Sequence, residues 1–164
     1  MSNQYLDKIQ NLPDHEKKIF LGLLEEYEES KNRKDCQEDF LCFVKQSWVA
    51  FIEGYHHTKM ADAFNRGSRG ELKRLIINMP PRHTKSEFAS YLLPAWYLGK
   101  YPDRKIIQIA HTAELAVGFG RKVRNLVGSE DFKKIFPQVA LQADSKAAGR
   151  WNTNKGGEYF AIGV

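Results

Sequence analysis

The sequence predicts an α/β fold, a parallel sheet with flanking helices, preceded by N-terminal helices. Three observations carry that expectation. From Leu72 onward short apolar runs alternate with longer helix-period segments, the order that parallel strands and their crossovers produce. Before Leu72 the apolar residues recur at helical spacing. The composition, 42% hydrophobic and 27% charged, is that of a globular chain able to build a core. At 164 residues the chain suits one domain with a helical appendage: a helical region over 1–66 and a core over 67–164.

Residues 1–12 read as a frayed lead-in. Pro13 followed by Asp14 and Glu16 starts a helix. Ile19, Leu23, Leu24 and Tyr27 carry it to about Lys31, where Asn32-Arg33-Lys34-Asp35 reads as a polar break. Phe40, Phe43, Val44, Trp48 and Phe51 form one apolar stripe at spacings of three and four, which predicts a second helix ending at Gly54-Tyr55-His56-His57. Residues 58–65 form a short third helix and 67–70 a turn. Residues 72–78 read as a buried strand, 79–84 as a loop, and 86–98 as a helix that Pro94 kinks or interrupts. Residues 106–110 are the next buried strand, 113–127 a long helix and 131–136 a short one. Residues 151–154 and 159–164 are two strands joined across Lys155-Gly156-Gly157.

The net charge of +5 and pI of about 9.1 suit a polyanionic partner without requiring one. Acidic residues gather early, at Glu25, Glu26, Glu28 and Glu29. Basic residues gather later, at Arg66, Arg69, Lys73 and Arg74, then at Arg121, Lys122, Arg124, Lys133 and Lys134. Arg121, Lys122 and Arg124 face either DNA or a neighbouring subunit's phosphates, or they solvate a helix; the pattern leaves both readings open. No apolar run is long enough to span a bilayer, and Met1-Ser2-Asn3-Gln4 does not open a signal peptide. The expected setting is a soluble protein in a cytoplasm. The two cysteines, Cys36 and Cys42, are then expected as small buried or half-buried thiols. His56 and His57 match no metal-ligand spacing and read as surface or capping residues. His111, at a strand's carboxyl end, sits where α/β ligands gather, or serves loop backbone groups.

The informative segment is Leu75-Ile76-Ile77-Asn78-Met79-Pro80-Pro81-Arg82-His83-Thr84-Lys85-Ser86-Glu87. A buried strand feeding a loop, with Lys-Ser opening a helix, is how backbone N–H groups are converged on a phosphate. The lysine would reach the outer phosphates and the serine hydroxyl a magnesium ion. Met79 and Thr84 stand where the strict motif has glycines, so Thr84 either keeps negative φ or strains the loop. Thr84 to Glu87 also spell a capping box, which would start a helix with no ligand at all.

The stretch from Asn78 to Glu87 closely resembles the variant Walker A segment of the large terminase subunits of tailed bacteriophages, which typically reads Pro-Pro-Arg-His-Gly-Lys-Ser. Similar to the family as well are Pro94-Ala95-Trp96 with Tyr101-Pro102, Ala110-His111-Thr112-Ala113-Glu114-Leu115-Ala116, and Gly120-Arg121-Lys122-Val123-Arg124. So are Trp151-Asn152-Thr153 and Gly156-Gly157-Glu158-Tyr159, and the resemblance spans residues 40–164. It implies a partial P-loop NTPase core. Lys85 would contact the β and γ phosphates of ATP, Ser86 would help hold Mg2+, and Arg82 would stabilise charge developing on the phosphates. His83 would shape the loop beside Pro81 and Thr84. Implied partners are double-stranded DNA, a portal, a small terminase subunit and further copies in a ring, in the host cytoplasm with no membrane. The whole motor would hydrolyse ATP to drive DNA into a procapsid. Another P-loop nucleic-acid ATPase of helicase type, or a nucleotide-binding module without turnover, are the alternatives.

Turnover also needs carboxylates at the end of an apolar strand. Lys105 to Ala110 runs into His111. Val139 to Asp144 ends in an acid but carries Gln142 inside. Tyr159 to Val164 is apolar, and there the sequence stops. In the family the Walker B strand, a coupling motif and a nuclease domain lie further on. The chain is therefore expected to be truncated before Walker B, to be inactive alone, and to aggregate or be unstable by itself.

Overall fold

A computed structural model describes residues 13–144 and 147–164. The lead-in expected over 1–12 lies outside the described residues. The chain divides into two units, Met1–Lys34 and Asp35–Val164.

Helix α1 spans Asp14–Glu38, with Asp14 and Glu16 in its first turn against the helix dipole. It runs past the break expected after Lys31. Asn32-Arg33-Lys34-Asp35 contains neither glycine nor proline, and polar residues cost a solvated helix only about 0.7 kcal/mol each at most. The break falls at Asp39, which caps helix α2 (Phe40–Ser47): its Oδ1 accepts the Cys42 amide at 2.7 Å. Asn65 braces the junction, donating to Asp39 Oδ2 at 2.7 Å and accepting the Phe40 amide at 2.9 Å. The bend brings the Cα atoms of Cys36 and Cys42 to 4.7 Å, and the two are joined as a disulfide. The expectation of free thiols is thereby corrected; a helix break between two cysteines six residues apart supplies a geometry that their spacing on one helix hides.

Helix α2 stops at Ser47, well before Gly54. Trp48 and Phe51 share the helical spacing of the stripe but pack on each other in a turn, 5.6 Å between ring centroids, closed by Phe51 N–H donating to Trp48 O. Helix α3 (Tyr55–Ser68) begins earlier than expected, so both histidines lie in its first turn. His57, Met60, Ala61 and Phe64 form its buried stripe.

The strand expected over 72–78 is absent. A strand exists only against a neighbour's backbone, and no such neighbour reaches this segment among the described residues. Leu75 and Ile76 are 44% and 86% exposed, not buried. After the loop, a helix opens at Lys85, widens into a π-helical turn over Glu87–Leu92, and continues as α4 (Leu93–Lys100). Pro94 accounts for the widening. It has no N–H for the carbonyl four residues back, and its ring would clash there. Leu93 N–H donates instead to Phe88 O, five residues back.

The sheet has three strands, β1 (Lys105–Ala110), β2 (Arg150–Asn152) and β3 (Glu158–Gly163), in the order β1-β3-β2. β1 and β3 are parallel, with Ile107 opposite Phe160. β2 and β3 form the expected antiparallel hairpin. The fold is α/β, but the sheet is mixed, a correction to the all-parallel expectation that follows from joining β2 to β3 by a tight turn. Helix α5 (Ala113–Val127) makes the crossover from β1, and α6 (Glu130–Ile135) follows it. Thr112 and Ser129 cap these helices through the amides of Leu115 and Phe132. Trp151 donates to Gly120 O at 3.3 Å and stacks on Tyr159, fixing α5 to the sheet.

Phe40 occupies the middle of the helical core, with Phe64, Phe88 and Trp96 at ring distances of 5.3, 5.5 and 5.6 Å. Trp96 Nε1 donates to Cys36 O at 3.0 Å. Phe88 lies one turn beyond Lys85, so the loop is anchored directly in this core. Among the described residues no helix is long and apolar enough to cross a membrane.

Candidate phosphate-binding loop

Residues 79–87 wrap around an open concavity of about 470 Å3. The helix beginning at Lys85 opens on this lining, and the first amides of a helix have no intrahelical acceptor. Arg82 and Thr84 have φ of 64° and 57°. These are the left-handed conformations that loops of this kind usually assign to glycine, and each costs about 1–3 kcal/mol in another residue. The loop therefore adopts the strained alternative at Thr84. No family model, curated protein or solved structure matches the chain.

The side chains decide between the two readings of Thr84 to Glu87. In a capping box, Thr84 Oγ1 would accept the Glu87 amide and the Glu87 carboxylate would turn back to Thr84 N–H. Here Thr84 Oγ1 donates to His83 O at 2.7 Å and lies 2.6 Å from His57 Nε2. Glu87 Oε1 accepts Lys122 Nζ at 3.0 Å. Neither half of the box is made.

Lys85 and Arg82 form no ion pair with a carboxylate among the described residues. Two cations thus border the concavity with no ion-pair partner among the described residues, and the carboxylate that shares the lining, Glu87, is taken up by Lys122. Pro81 O is 2.9 Å from His83 Nδ1, which folds the His83 ring back over the loop. Ser86 makes no side-chain cap bond and is exposed at the first turn. The six expected nucleotide-binding residues, 81–86, therefore line one surface.

The other expected sites are spread more widely. Lys122 is bound to Glu87, so α5 is tied to the helix that follows the loop. Arg121 is exposed and Arg124 donates to Asn125 Oδ1 at 3.3 Å. Lys133 and Lys134 pair with Glu130 and Asp131, three residues back, as a solvated helix face does. Arg66 and Arg69 lie beside Glu71. Residues 139–144 form no strand beyond a single bridge of Leu141 to Thr153, and Asp144 lies in an exposed turn. His111 is exposed beyond the carboxyl end of β1. No group of three or more potential metal ligands occurs among the described residues.

His57 is the residue that sequence reasoning undervalued. It does cap, its Nδ1 accepting Gly54 N–H at 2.9 Å. But it is only 5% exposed, and its other nitrogen reaches the loop. Burial, and then the neighbouring His56, hold its pKa below the ordinary 6.5, while Glu53 pulls the other way. A histidine held neutral in the folded state stabilises it above the unfolded pKa. That contribution is lost as pH falls through the lowered folded value. The urea midpoint is therefore expected to fall between about pH 7.5 and about pH 5. The fall should be shallower in a His57→Gln variant; identical pH slopes for the two proteins would contradict this.

Proposed function

We propose that this chain is the nucleotide-binding part of a viral DNA-packaging ATPase of the terminase large-subunit type, built on a P-loop core. The observation that carries the reading is Lys85 and Arg82, neither ion-paired among the described residues, on a strained loop at a helix start. Strain of this kind persists where surrounding structure over-determines it, and it concentrates at ligand sites. Amides, ammonium and guanidinium converging on one concavity suit a triphosphate. Lys85 would bind the β and γ phosphates, and Arg82 would offset charge on the outer oxygens. The exposed Ser86 hydroxyl fits Mg2+, an ion that takes few protein ligands and draws the rest from phosphate and water. When bound, that ion supplies charge neutralisation along the phosphates. Pro81, His83 and Thr84 shape the backbone that does the binding. Double-stranded DNA, a portal, a small subunit and a ring of copies would be the partners of the whole motor, in the host cytoplasm, and Arg121, Lys122 and Arg124 the surface offered to DNA or a neighbouring subunit.

The test is a titration with Mg-ATP. A charge-assisted bond is worth about 1.5–3 kcal/mol, so Lys85→Ala should weaken binding roughly 10- to 100-fold. No binding by the wild-type chain at millimolar Mg-ATP, or equal affinity in the variant, would refute the reading. Turnover that depends on Lys85 would separate an enzyme from a module that only binds.

A further inference from the structure

We propose that His57 is a positioning residue of this loop, holding the Thr84 hydroxyl and, through it, the left-handed backbone immediately before Lys85. The inference rests on the nucleotide-binding reading and adds a residue to it from a different helix, 27 positions away in sequence.

The proton inventory permits one arrangement. Gly54 N–H can only donate, so Nδ1 of His57, 2.9 Å away, must present its lone pair. The ring proton then sits on Nε2 and points at Thr84 Oγ1, 2.6 Å away. The Thr84 hydroxyl, having accepted that bond, gives its own proton to His83 O at 2.7 Å. Every donor in the chain Gly54, His57, Thr84, His83 has an acceptor, and turning the Thr84 hydroxyl toward Nε2 instead would leave two donors facing each other there and two acceptors at His83 O. The ring itself cannot swing. Phe88 stacks on it at 4.9 Å and Phe51 meets it edge-on at 4.8 Å. Phe88 belongs to the helix that the loop opens, so the brace and the braced loop share one support.

The brace answers a need that the sequence creates. A glycine at position 84 would hold φ of 57° without strain; a β-branched threonine does not. The β-branch that makes Thr84 costly in this conformation also carries the hydroxyl by which His57 retains it. His57 touches no phosphate in this scheme and acts only through Thr84.

The experiment is a double-mutant cycle read as Mg-ATP affinity, in the full chain. His57→Ala is expected to weaken binding about tenfold in the wild-type background. In a Thr84→Gly background, where the backbone needs no brace, the same change should alter affinity by less than about twofold. Thr84→Val removes the hydroxyl while leaving the histidine and its packing in place, and should reproduce the His57→Ala loss even if that variant folds poorly. Nitrogen-15 NMR of the imidazole should report the Nε2–H tautomer. Equal effects of His57→Ala in both backgrounds, full affinity in Thr84→Val, or the Nδ1–H tautomer would each overturn the proposal. A wild-type chain that binds no Mg-ATP would instead fail the functional reading on which it stands.

Discussion

Trp96→Ala is expected to lower stability by about 3–5 kcal/mol, the range for removing a large aromatic from a packed core. The indole is fully buried against Phe40, and its Nε1 satisfies the Cys36 carbonyl at the end of α1. Truncation would leave a cavity and remove the indole's hydrogen bond together. For a domain held by about 5–15 kcal/mol, that is a large share of the whole. Trp96→Phe separates the two effects: it keeps most of the ring packing and loses only the hydrogen bond, which should cost about 1–3 kcal/mol. Urea unfolding followed by circular dichroism reads both. A Trp96→Ala protein with the wild-type midpoint would mean that the aromatic cluster does not hold α1, α2 and α4 together.

Two glycines of one helix should respond in opposite directions. Alanine is favoured over glycine inside a helix by about 1 kcal/mol, so propensity alone predicts that Gly118→Ala and Gly120→Ala both stabilise α5. At Gly118 nothing lies within 4 Å of the added carbon, and stabilisation is expected. At Gly120 the new carbon would press into the Ala148 carbonyl oxygen and lie 3.1 Å from Tyr159 Cε1. Backbone cannot swing aside as a side chain can. Overpacking of this kind costs about 1–3 kcal/mol and outweighs the propensity gain. Gly120→Ala should therefore lower the midpoint while Gly118→Ala raises it, and a stabilised Gly120→Ala would show that Ala148 can move.

What could be read in the sequence was local, and what escaped it was not. Helix α5 was legible end to end because Thr112 caps it and its apolar residues recur on one face. The β2–β3 hairpin was legible from its glycines. The stretch 72–78 has the composition of a strand, but composition does not name a partner, and pairing is what makes a strand. Trp48 and Phe51 extended a helical pattern past Ser47 because an i, i+3 pair serves a turn as well as a helix. At the site, the order Arg82, His83, Thr84, Lys85, Ser86 marked the loop, and the glycine-free position at 84 pointed to strain. The histidine that answers the strain lies on another helix, and its only local signal was its place three residues after Gly54. The disulfide escaped for the same reason: Asp39 ends α1 through bonds to Asn65, far along the chain.

The π-helical turn has one more consequence. It amounts to a single residue inserted into an α-helix, and one residue rotates everything after it by about 100°. Phe88 lies in the first half of the widened turn and Trp96 beyond it, yet both face Phe40. The direction in which Lys85 emerges is thus geared to the number of residues between it and the indole, and losing any one of them would turn the loop a quarter-circle out of phase with the core that supports it.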